Sequence, residues 1–260
     1  DKVKADGIQF AMIRLGYGSD VKSQDDEYFE QNVQECERVG IPWGAYLYSY
    51  ALTVEQARSE AEHALRLLKG KKPTFPIAFD MEDADGYKRK AGMPSNAELV
   101  DICYTFLDTL EKAGYYVTLY ASKSWLENQL KSEKLNRFDK WVAQWADKCT
   151  YSGDYGMWQY TSDGRVNGVR GRVDMNYAYK DYPAIIKSKG LNGWKANEQP
   201  KQELKPQPKP QPQPQKQPKQ TTKTYKVVTT LPGYKTAADA KNRRNKAGTV
   251  KPGTYHVFNE

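Results

Sequence analysis

The sequence predicts an α/β fold, an irregular (β/α) barrel of the TIM-like type with few helices in its C-terminal part. Apolar runs of strand length alternate with amphipathic segments through the first half of the chain, whereas the later runs follow one another directly. No Gly-x-Gly-x-x-Gly or P-loop motif follows a strand, so the usual phosphate-cradling folds are not indicated. A doubly wound open sheet is the alternative architecture.

Seven segments have the apolar content of strands, and three between the early strands have helical periodicity. The strand candidates are residues 8–17, 42–51, 74–82, 115–121, 140–146, 155–161 and 171–179. The helix candidates are residues 25–39, 54–69 and 95–113. The third helix candidate begins with Ser95 and Asn96 and stops before Gly114. This alternation predicts parallel strand pairing with right-handed crossovers.

The composition changes after the last predicted strand. Residues 188–224 contain seven of the fourteen prolines, alternating with Gln and Lys. Such a segment favours an extended polyproline linker of about 3.1 Å per residue. The remaining residues are too few for more than a marginal core. We therefore predict a barrel at 1–187, a linker at 188–224 and a partial small β module at 225–260.

Charge is distributed unevenly along the chain. The 40 Lys and Arg exceed the 32 Asp and Glu by 8. Residues 1–194 hold 26 basic and 28 acidic side chains, a net of −2, which leaves 14 and 4, a net of +10, for 195–260. A basic tail indicates either a polyanionic partner or a solvated, solubilising segment.

Two further features limit the possible classes of protein. Cys36, Cys103 and Cys149 are far apart and form no Cys-x-x-Cys pair, which argues against a disulfide framework or a zinc ribbon. That pattern suits synthesis in a reducing compartment. No apolar run approaches about 18 residues, so we expect no membrane span, and the first ten residues have no apolar signal region.

The stretch FPIAFDMEDADGY, residues 75–87, places three carboxylates at the end of an apolar run. Because strand side chains alternate between faces, large apolar residues should face the helices, and small or acidic residues should face the barrel interior. The first set is Phe75, Ile77, Phe79 and Met81, and the second is Ala78, Asp80 and Glu82. Asp83 lies on the following loop, where we do not expect it to contact a substrate.

Asp80 and Glu82 thus share one face at the C-terminal end of a strand, where β/α barrels hold their active sites. Two carboxylates this close cannot ionise independently, and we expect Glu82, which has the longer reach, to keep its proton near neutral pH. A protonated carboxylic acid beside an ionised one suits glycoside cleavage. The alternatives are a structural pair or a cation site for Mg²⁺ or Ca²⁺.

Histidine chemistry is poorly supported. The chain has two histidines, His63 and His256, and we expect the first on a helix surface and the second in the tail. A zinc amidase needs several histidine ligands, and Cys–His or Ser–His–Asp hydrolases need a histidine base. Carboxylate chemistry remains, and we expect neither a metal ion nor a cofactor.

The aromatic content also indicates a sugar ligand. Six Trp and nineteen Tyr offer stacking faces with polar edges, which suit the apolar faces and hydroxyl rims of sugars. Core packing is the alternative for each ring. The candidates on strands are Tyr46, Tyr48, Tyr50, Tyr120, Trp158 and Tyr160, with Gln159 between the last two. Asp174 and Asn176 share one face of the last predicted strand and bring a third carboxylate to the barrel mouth.

Six stretches occur in the order found in glycoside hydrolase family 25, which this chain resembles over residues 1–187. They are GIQFAMIRLGYG, GAYLYSYA, PIAFDMED, YYVTLYASKSW, WVAQWA and MWQYTSDGRVNGVRGRVDMNYAY. The family comprises Chalaropsis-type lysozymes, N-acetylmuramidases of bacteria and of phages, where they act as endolysins. The resemblance implies an irregular β/α barrel that cuts the β-1,4 bond between N-acetylmuramic acid and N-acetylglucosamine.

The resemblance also implies residue roles. Glu82 of the Asp-x-Glu strand corresponds to the proton donor, Asp80 to its acidic neighbour and Asp174 to the late acidic residue. Tyr46 matches the active-site tyrosine of the family. We expect the remaining substrate contacts from Arg14, Tyr48, Tyr120, Trp158, Gln159 and Asn176.

The chain departs from the family pattern at its start. Family members open with a short strand that carries another active-site Asp, followed by a stretch like Trp-x-Lys-Val-Lys. This sequence begins DKVKADGI, past that strand, which predicts a fragment that lacks the first strand and one active-site carboxylate. The tail resembles the start of the SH3-like wall-binding modules of phage endolysins.

The sequence as a whole predicts a peptidoglycan hydrolase, with a non-catalytic wall-binding barrel as the alternative. Its expected partners are peptidoglycan and, through the basic tail, anionic wall polymers. We expect a monomer that binds neither nucleic acid nor membrane. The predicted location is synthesis in the cytoplasm of a bacterial host and action on the extracellular wall, with no signal peptide in this fragment.

Overall fold

The computed structural model describes residues 1–196 in full and, beyond them, the backbone of four short strands. The chain divides into two compact units, Asp1–Gln199 and Pro200–Glu260. Most of the predicted linker, from residue 197 to residue 222, lies outside the described residues. The linker and the SH3-like character of the tail therefore stay predictions.

Seven strands of the first unit form one sheet in the order of the chain. Neighbouring strands are parallel from β1 to β6, and β7 runs antiparallel to β6. The strands are β1 Ala11–Tyr17, β2 Trp43–Tyr48, β3 Ile77–Asp80, β4 Val117–Ser122, β5 Asp139–Ala143, β6 Met157–Gly164 and β7 Val173–Ala178. All seven predicted strands are confirmed, with bounds that shift by a few residues.

The helices of the first unit lie mainly between the early strands, as the sequence predicts. They are α1 Lys2–Ala5, α2 Phe29–Val39, α3 Val54–Leu68, α4 Tyr87–Gly92, α5 Asn96–Lys112, α6 Lys123–Glu127 and α7 Tyr182–Lys189. Two 3₁₀ turns are present at Lys22–Gln24 and Glu133–Leu135. At the start of α5, Ser95 and Glu98 form a reciprocal capping box that satisfies the first free backbone N–H groups.

The predicted barrel is confirmed in part, as a curled mixed sheet of seven strands. Among the described residues, β1 and β7 are its two edges and do not pair with each other. The doubly wound alternative is wrong, because that architecture requires a reversal of strand order and this order is strictly sequential. Because β1 to β6 are parallel, the C-terminal ends of these six strands lie at one edge of the sheet.

The two faces of the sheet pack differently. The outer face packs against the helices, and Phe79 stacks on Phe106 of α5 with ring centroids 4.1 Å apart. The inner face holds a smaller cluster around Ala78, Trp141 and Met157. Phe75 was predicted to face the helices but belongs to this inner cluster, because it precedes Pro76 and β3 begins only at Ile77.

His63 is fully buried, so its predicted place on a helix surface is wrong. Its Nδ1 lies 3.0 Å from the Gly18 carbonyl oxygen, and its Nε2 lies 2.8 Å from Asp25 Oδ1. A methyl group added to Gly16 would come within 2.7 Å of the ring, so the histidine fits only against a glycine. His63 thereby attaches helix α3 to the loop that follows β1, and it takes no part in the acidic site.

The first unit continues past residue 187, where the composition placed its boundary. Asn192 is fully buried, accepts a hydrogen bond from the Tyr116 N–H and donates to the carbonyl oxygens of Pro73 and Phe75. These bonds tie the segment after α7 to the amino end of the sheet.

The second unit contains two antiparallel strand pairs. In one, β8 (Lys223–Val227) pairs with β11 (Gly253–Val257), and in the other, β9 (Leu231–Tyr234) pairs with β10 (Lys246–Val250). A search of the described residues for a helix with the length and hydropathy to cross a bilayer finds none.

Candidate active site

The acidic site lies at the C-terminal ends of the parallel strands. Asp80 is the last residue of β3, and Glu82 follows two residues later. In register with Asp80 are Tyr48, at the end of β2, and Tyr120, near the end of β4. Parallel pairing without a shift therefore places two tyrosines beside the carboxyl group on the inner face.

A hydrogen bond joins the carboxyl groups of Asp80 and Glu82. Asp80 is only 5% exposed, and burial together with the neighbouring charge of Glu82 raises its pKa well above the usual range. Burial also raises the pKa of Glu82, while the hydrogen bond from Asp80 acts in the opposite direction. The pair therefore retains one proton to higher pH than an ordinary carboxyl group does.

The prediction placed that proton on Glu82. Burial raises the pKa of both carboxyl groups, and Asp80 is the more deeply buried of the two. Desolvation penalises a buried anion, so the ionised form of Asp80 is disfavoured in the fold. Asp80 Oδ1 has no hydrogen-bond partner among the described residues, which further disfavours a negative charge there.

Asp174 is the third carboxylate of the site. It lies on β7, where its partly desolvated carboxyl group has a raised pKa. Burial is the largest influence on the pKa of Asp80, Glu82 and Tyr120, and the negative charge of Asp174 also raises all three. The structure thus brings the three predicted carboxylates into one electrostatic group.

An open cleft of about 300 Å³ begins at this group. Its lining residues come from three neighbouring strands and the segments that follow them: Glu82, Tyr120, Ser122, Ala143 and Trp145. Glu82 is therefore the member of the acidic pair that a ligand in the cleft reaches, whereas Asp80 lies behind it.

Trp145 was not among the predicted substrate contacts. Its side chain is 66% exposed, yet its indole Nε1 donates to Gln159 Oε1 at 3.1 Å, which fixes the ring as a wall of the cleft. The sequence signal was present, because Trp145 follows Trp141 and Ala143 with strand parity. An exposed, hydrogen-bonded indole beside an acid is a typical stacking surface for a sugar.

Polar side chains on β6 and β7 hold the aromatic rings of the inner face. Gln159 Oε1 also accepts a hydrogen bond from the Tyr120 hydroxyl at 3.1 Å, and Asn176 Oδ1 accepts one from Trp141 Nε1 at 2.9 Å. The Tyr120 and Trp141 rings meet edge to face at 4.6 Å. Gln159 and Asn176 therefore position aromatic residues of the site.

Tyr46, Tyr48 and Arg14 complete the opposite side of the site. Burial raises the pKa of both tyrosines, with the charge of Asp80 adding to the effect at Tyr46 and that of Glu82 at Tyr48. The Arg14 guanidinium donates to Asp26 Oδ2 at 2.7 Å. Arg14 of β1 lies in register with Tyr46 of β2. Tyr46 and Tyr48 thus lie with the acidic group, and Arg14 lies beside Tyr46.

Trp158 lies on the other face of the sheet, away from the predicted site. Its neighbour Gln159 points to the inner face, so strand alternation turns Trp158 outward, where its indole donates to the Gln144 carbonyl oxygen at 2.7 Å. It packs with Tyr160 and Tyr177. The prediction grouped Trp158 with Gln159 as substrate contacts, although adjacent residues of one strand cannot share a face.

Asp83 has a structural role. Its carboxylate accepts hydrogen bonds from the backbone N–H groups of Lys88 and Arg89 at the start of α4, at 2.7 and 3.2 Å. Within the described part of the chain, no group of three or more His, Cys, Asp and Glu side chains has an arrangement that could hold a metal ion.

The sequence model described as "Glycosyl hydrolases family 25" matches residues 1–169. The chain belongs to glycosyl hydrolase family 25. The match covers Asp80 and Glu82, whereas Asp174 lies five residues beyond it. Family membership agrees with the resemblance that the sequence motifs indicated.

The chain is also similar to two distantly related curated proteins. The chain is 27% identical over 180 residues to protein YegX of Escherichia coli (strain K12), covering 67% of this chain and 61% of YegX. It is 24% identical over 175 residues to the autolytic lysozyme of Clostridium acetobutylicum, covering 67% and 50%. The chain thus spans only about half to three-fifths of the length of these relatives.

Solved structures share the fold. The autolysin LytC of Streptococcus pneumoniae, determined in complex with a synthetic peptidoglycan ligand, superposes with a TM-score of 0.60 at 29% identity, over 67% of this chain and 42% of LytC. The bacterial lysozyme of Streptomyces coelicolor superposes with a TM-score of 0.60 at 24% identity, over 74% of this chain and 90% of the lysozyme. The second likeness is evidence for the fold alone.

Proposed function

We propose that this protein is a peptidoglycan muramidase, which hydrolyses the β-1,4 bond between N-acetylmuramic acid and N-acetylglucosamine in bacterial cell walls. The observation that carries the proposal is the adjacent pair of Asp80 and Glu82, whose pKa values burial raises, at the base of an aromatic cleft. Family membership and the peptidoglycan ligand of LytC support the substrate class.

Glu82 is the proton donor in this proposal. It lines the cleft and can contact a glycosidic oxygen, whereas Asp80 is buried behind it. Transfer of the shared proton along their hydrogen bond leaves Glu82 protonated and Asp80 ionised. In that state Glu82 can protonate the leaving oxygen while the Asp80 anion stabilises the positive charge that develops on the sugar ring.

The closeness of the pair restricts the mechanism. Paired carboxyl groups stand about 5 Å apart across the bond in retaining glycosidases and about 6.5–9.5 Å apart in inverting ones. Asp80 and Glu82 are in hydrogen-bond contact, so both carboxyl groups lie on the same side of the glycosidic bond. The nucleophile on the opposite side is then another group: the N-acetyl group of the substrate, a water molecule or a further carboxylate such as Asp174.

The test is the release of new sugar ends from purified peptidoglycan by the 260-residue protein. We expect new reducing ends that are muramic acid. Glucosamine ends would identify a glucosaminidase, and wall binding without new ends would identify the non-catalytic alternative. Either result would contradict the proposed reaction.

Trp145 should contribute to substrate binding more than to the chemical step. Stacking of one ring is worth about 1 kcal/mol, so Trp145→Ala should raise KM for soluble wall fragments about five-fold and leave kcat within about two-fold. Tyr177→Ala is the matched control, since Tyr177 is 51% exposed on the outer face. Steady-state kinetics with equal KM values for the two variants would show that the cleft does not bind the substrate at Trp145.

A further inference from the structure

A buried lysine lies directly behind the acidic pair. Lys88, in α4, is 1% exposed, and its Nζ donates to the backbone carbonyl oxygens of Ser49 and Glu82, the latter at 3.0 Å. The two carbonyls belong to the segments that follow β2 and β3. One ammonium group therefore ties together the two strand ends that present Tyr48 and the acidic pair.

The lysine is held in place from both ends. Its backbone N–H donates to Asp83 Oδ1 at 2.7 Å, so the loop from Glu82 to Lys88 closes on itself. On the other side, Ser49 Oγ donates to Glu60 Oε2 at 2.8 Å, and Glu60 Oε1 accepts the Tyr50 N–H at 2.7 Å. A continuous chain of hydrogen bonds thus runs from α3 through Ser49 and Lys88 to the backbone of Glu82.

The charges around Lys88 are predominantly acidic. Burial lowers the pKa of Lys88, and the neighbouring carboxylates, Glu60 first, oppose that effect. Burial raises the pKa of Glu60 to about 7. The titratable groups that face Lys88 and the acidic pair from the surrounding elements are Tyr46, Tyr48, Tyr50, Glu60, Asp83, Cys103, Tyr120 and Asp174.

Packing alone does not require a cation at this position. A buried ammonium is costly to desolvate, and a methionine of similar length would fill the same volume. Among the described groups whose influence on Asp80 and Glu82 is resolved, Lys88 is the positive charge, and it favours ionisation of both. Without this charge, Asp80 and Glu82 would hold their protons to higher pH.

We propose that Lys88 is a positioning residue for the reaction: its ammonium group fixes the backbone of Glu82 and supplies the counter-charge that allows Asp80 and Glu82 to share a single proton. This inference rests on the proposed function for its kinetic consequences. The electrostatic part concerns the protein alone and holds whatever the substrate is.

The structure offers a matched control in Lys140. It is 5% exposed, and its Nζ likewise donates to two backbone carbonyl oxygens, those of Leu135 and Phe138, at 2.7 and 2.6 Å. Lys140 lies on β5, two strands from β3, and faces the outer side of the sheet, whereas Asp80 faces the inner side. Lys140→Met therefore removes an equivalent buried ammonium that is not among the main influences on the pKa of Glu82.

The first measurement is the titration of carboxyl carbons by ¹³C NMR in the wild type, Lys88→Met and Lys140→Met, with Glu82→Gln used to assign the Glu82 signal. We expect Glu82 to titrate at higher pH in Lys88→Met and at the wild-type pH in Lys140→Met. If Lys88→Met does not fold, Lys88→Gln, which retains an N–H donor but no charge, should show the same upward shift. Superimposable Glu82 titrations in a folded neutral variant would overturn the proposal.

The second measurement is kcat and KM on soluble wall fragments as a function of pH. We expect the whole profile of the neutral Lys88 variant to move to higher pH, because both carboxyl groups keep their protons longer, with kcat reduced about ten-fold at the optimum and KM within about two-fold. A kcat loss without a shift of the profile would contradict the charge role. An inactive wild type would refute the muramidase proposal instead, while the NMR titration would still decide the role of Lys88.

Discussion

Glu82→Gln should reduce the release of reducing ends from peptidoglycan by about a thousand-fold or more, while leaving the fold unchanged. The amide is nearly isosteric with the carboxyl group but cannot deliver a proton to the glycosidic oxygen, and general acid catalysis contributes about 10²–10⁴ in rate. The amide oxygen can still accept a hydrogen bond from the buried Asp80 carboxyl group, so the substitution leaves that group with its partner.

The control for this experiment is Glu55→Gln, which makes the same chemical change on a side chain that is 78% exposed on α3. It should leave activity at the wild-type level. Circular dichroism and thermal melts of both variants should match those of the wild type. If folded Glu82→Gln protein keeps more than about a tenth of the activity, Glu82 is not the acid.

Asp80→Asn should stabilise the protein and at the same time abolish most of its activity. In the folded state, burial raises the pKa of Asp80 well above its unfolded value, so the folded protein binds this proton more tightly. The stabilising effect of the bound proton is fully present below the unfolded pKa and is lost as pH rises through the folded pKa. At neutral and alkaline pH, the buried carboxyl group therefore destabilises the wild type.

The asparagine amide can donate to the Glu82 carboxylate in the same way that protonated Asp80 does, without any charge to desolvate. The difference in Tm between Asp80→Asn and the wild type should accordingly be near zero at low pH and should increase with pH. Each kcal/mol recovered corresponds to about 2–4 °C for a domain of this size. Melts of both proteins across the pH range measure this difference, and a constant or falling difference would show that Asp80 ionises freely in the fold.

Activity provides the second readout for Asp80→Asn. Because the amide cannot become an anion beside the positively charged sugar ring, we expect a loss of about 10²–10³ in kcat, with KM nearly unchanged. Asp83→Asn serves as the control, since Asp83 caps α4 and does not line the cleft. Loss of activity in both variants alike would indicate that the loop, and not the charge of Asp80, is what catalysis requires.

Local periodicity in the sequence was sufficient to predict the secondary structure and the face on which the acidic residues lie. The seven strands and the helices α2, α3 and α5 follow from alternation and from the 3.6-residue period. Parity along β3 placed Asp80 on the inner face, and parity along β7 did the same for Asp174. These predictions succeeded because a side chain on a regular element has its direction fixed by the backbone of that element.

Two errors arose where local rules were applied incompletely. Trp158 was grouped with Gln159 on aromatic content, although strand alternation alone separates them. Trp145 was omitted although it continues the parity of β5 past the end of the strand. In both cases the sequence contained the information, because position along a strand fixes the face on which a side chain lies.

Other properties depended on which elements pack against each other. Nothing in the sequence near His63 or Lys88 indicates burial, since each lies in a segment with charged neighbours. Their burial results from contacts with residues that are distant in sequence, Asp25 for His63 and Ser49 for Lys88. The raised pKa of Asp80 follows from the same cause, because desolvation depends on the depth of a group within the assembled fold.

The sequence by itself thus determined the family, the positions of the strands along the chain and the three carboxylates that the fold brings together. Only the tertiary structure decided how deeply each carboxylate is buried, which aromatic rings line the cleft and which cation stands behind the acidic pair. The physical reason is that alternation and periodicity act over a few residues. Solvation and Coulomb interactions instead depend on distances between segments that the chain separates by tens of residues.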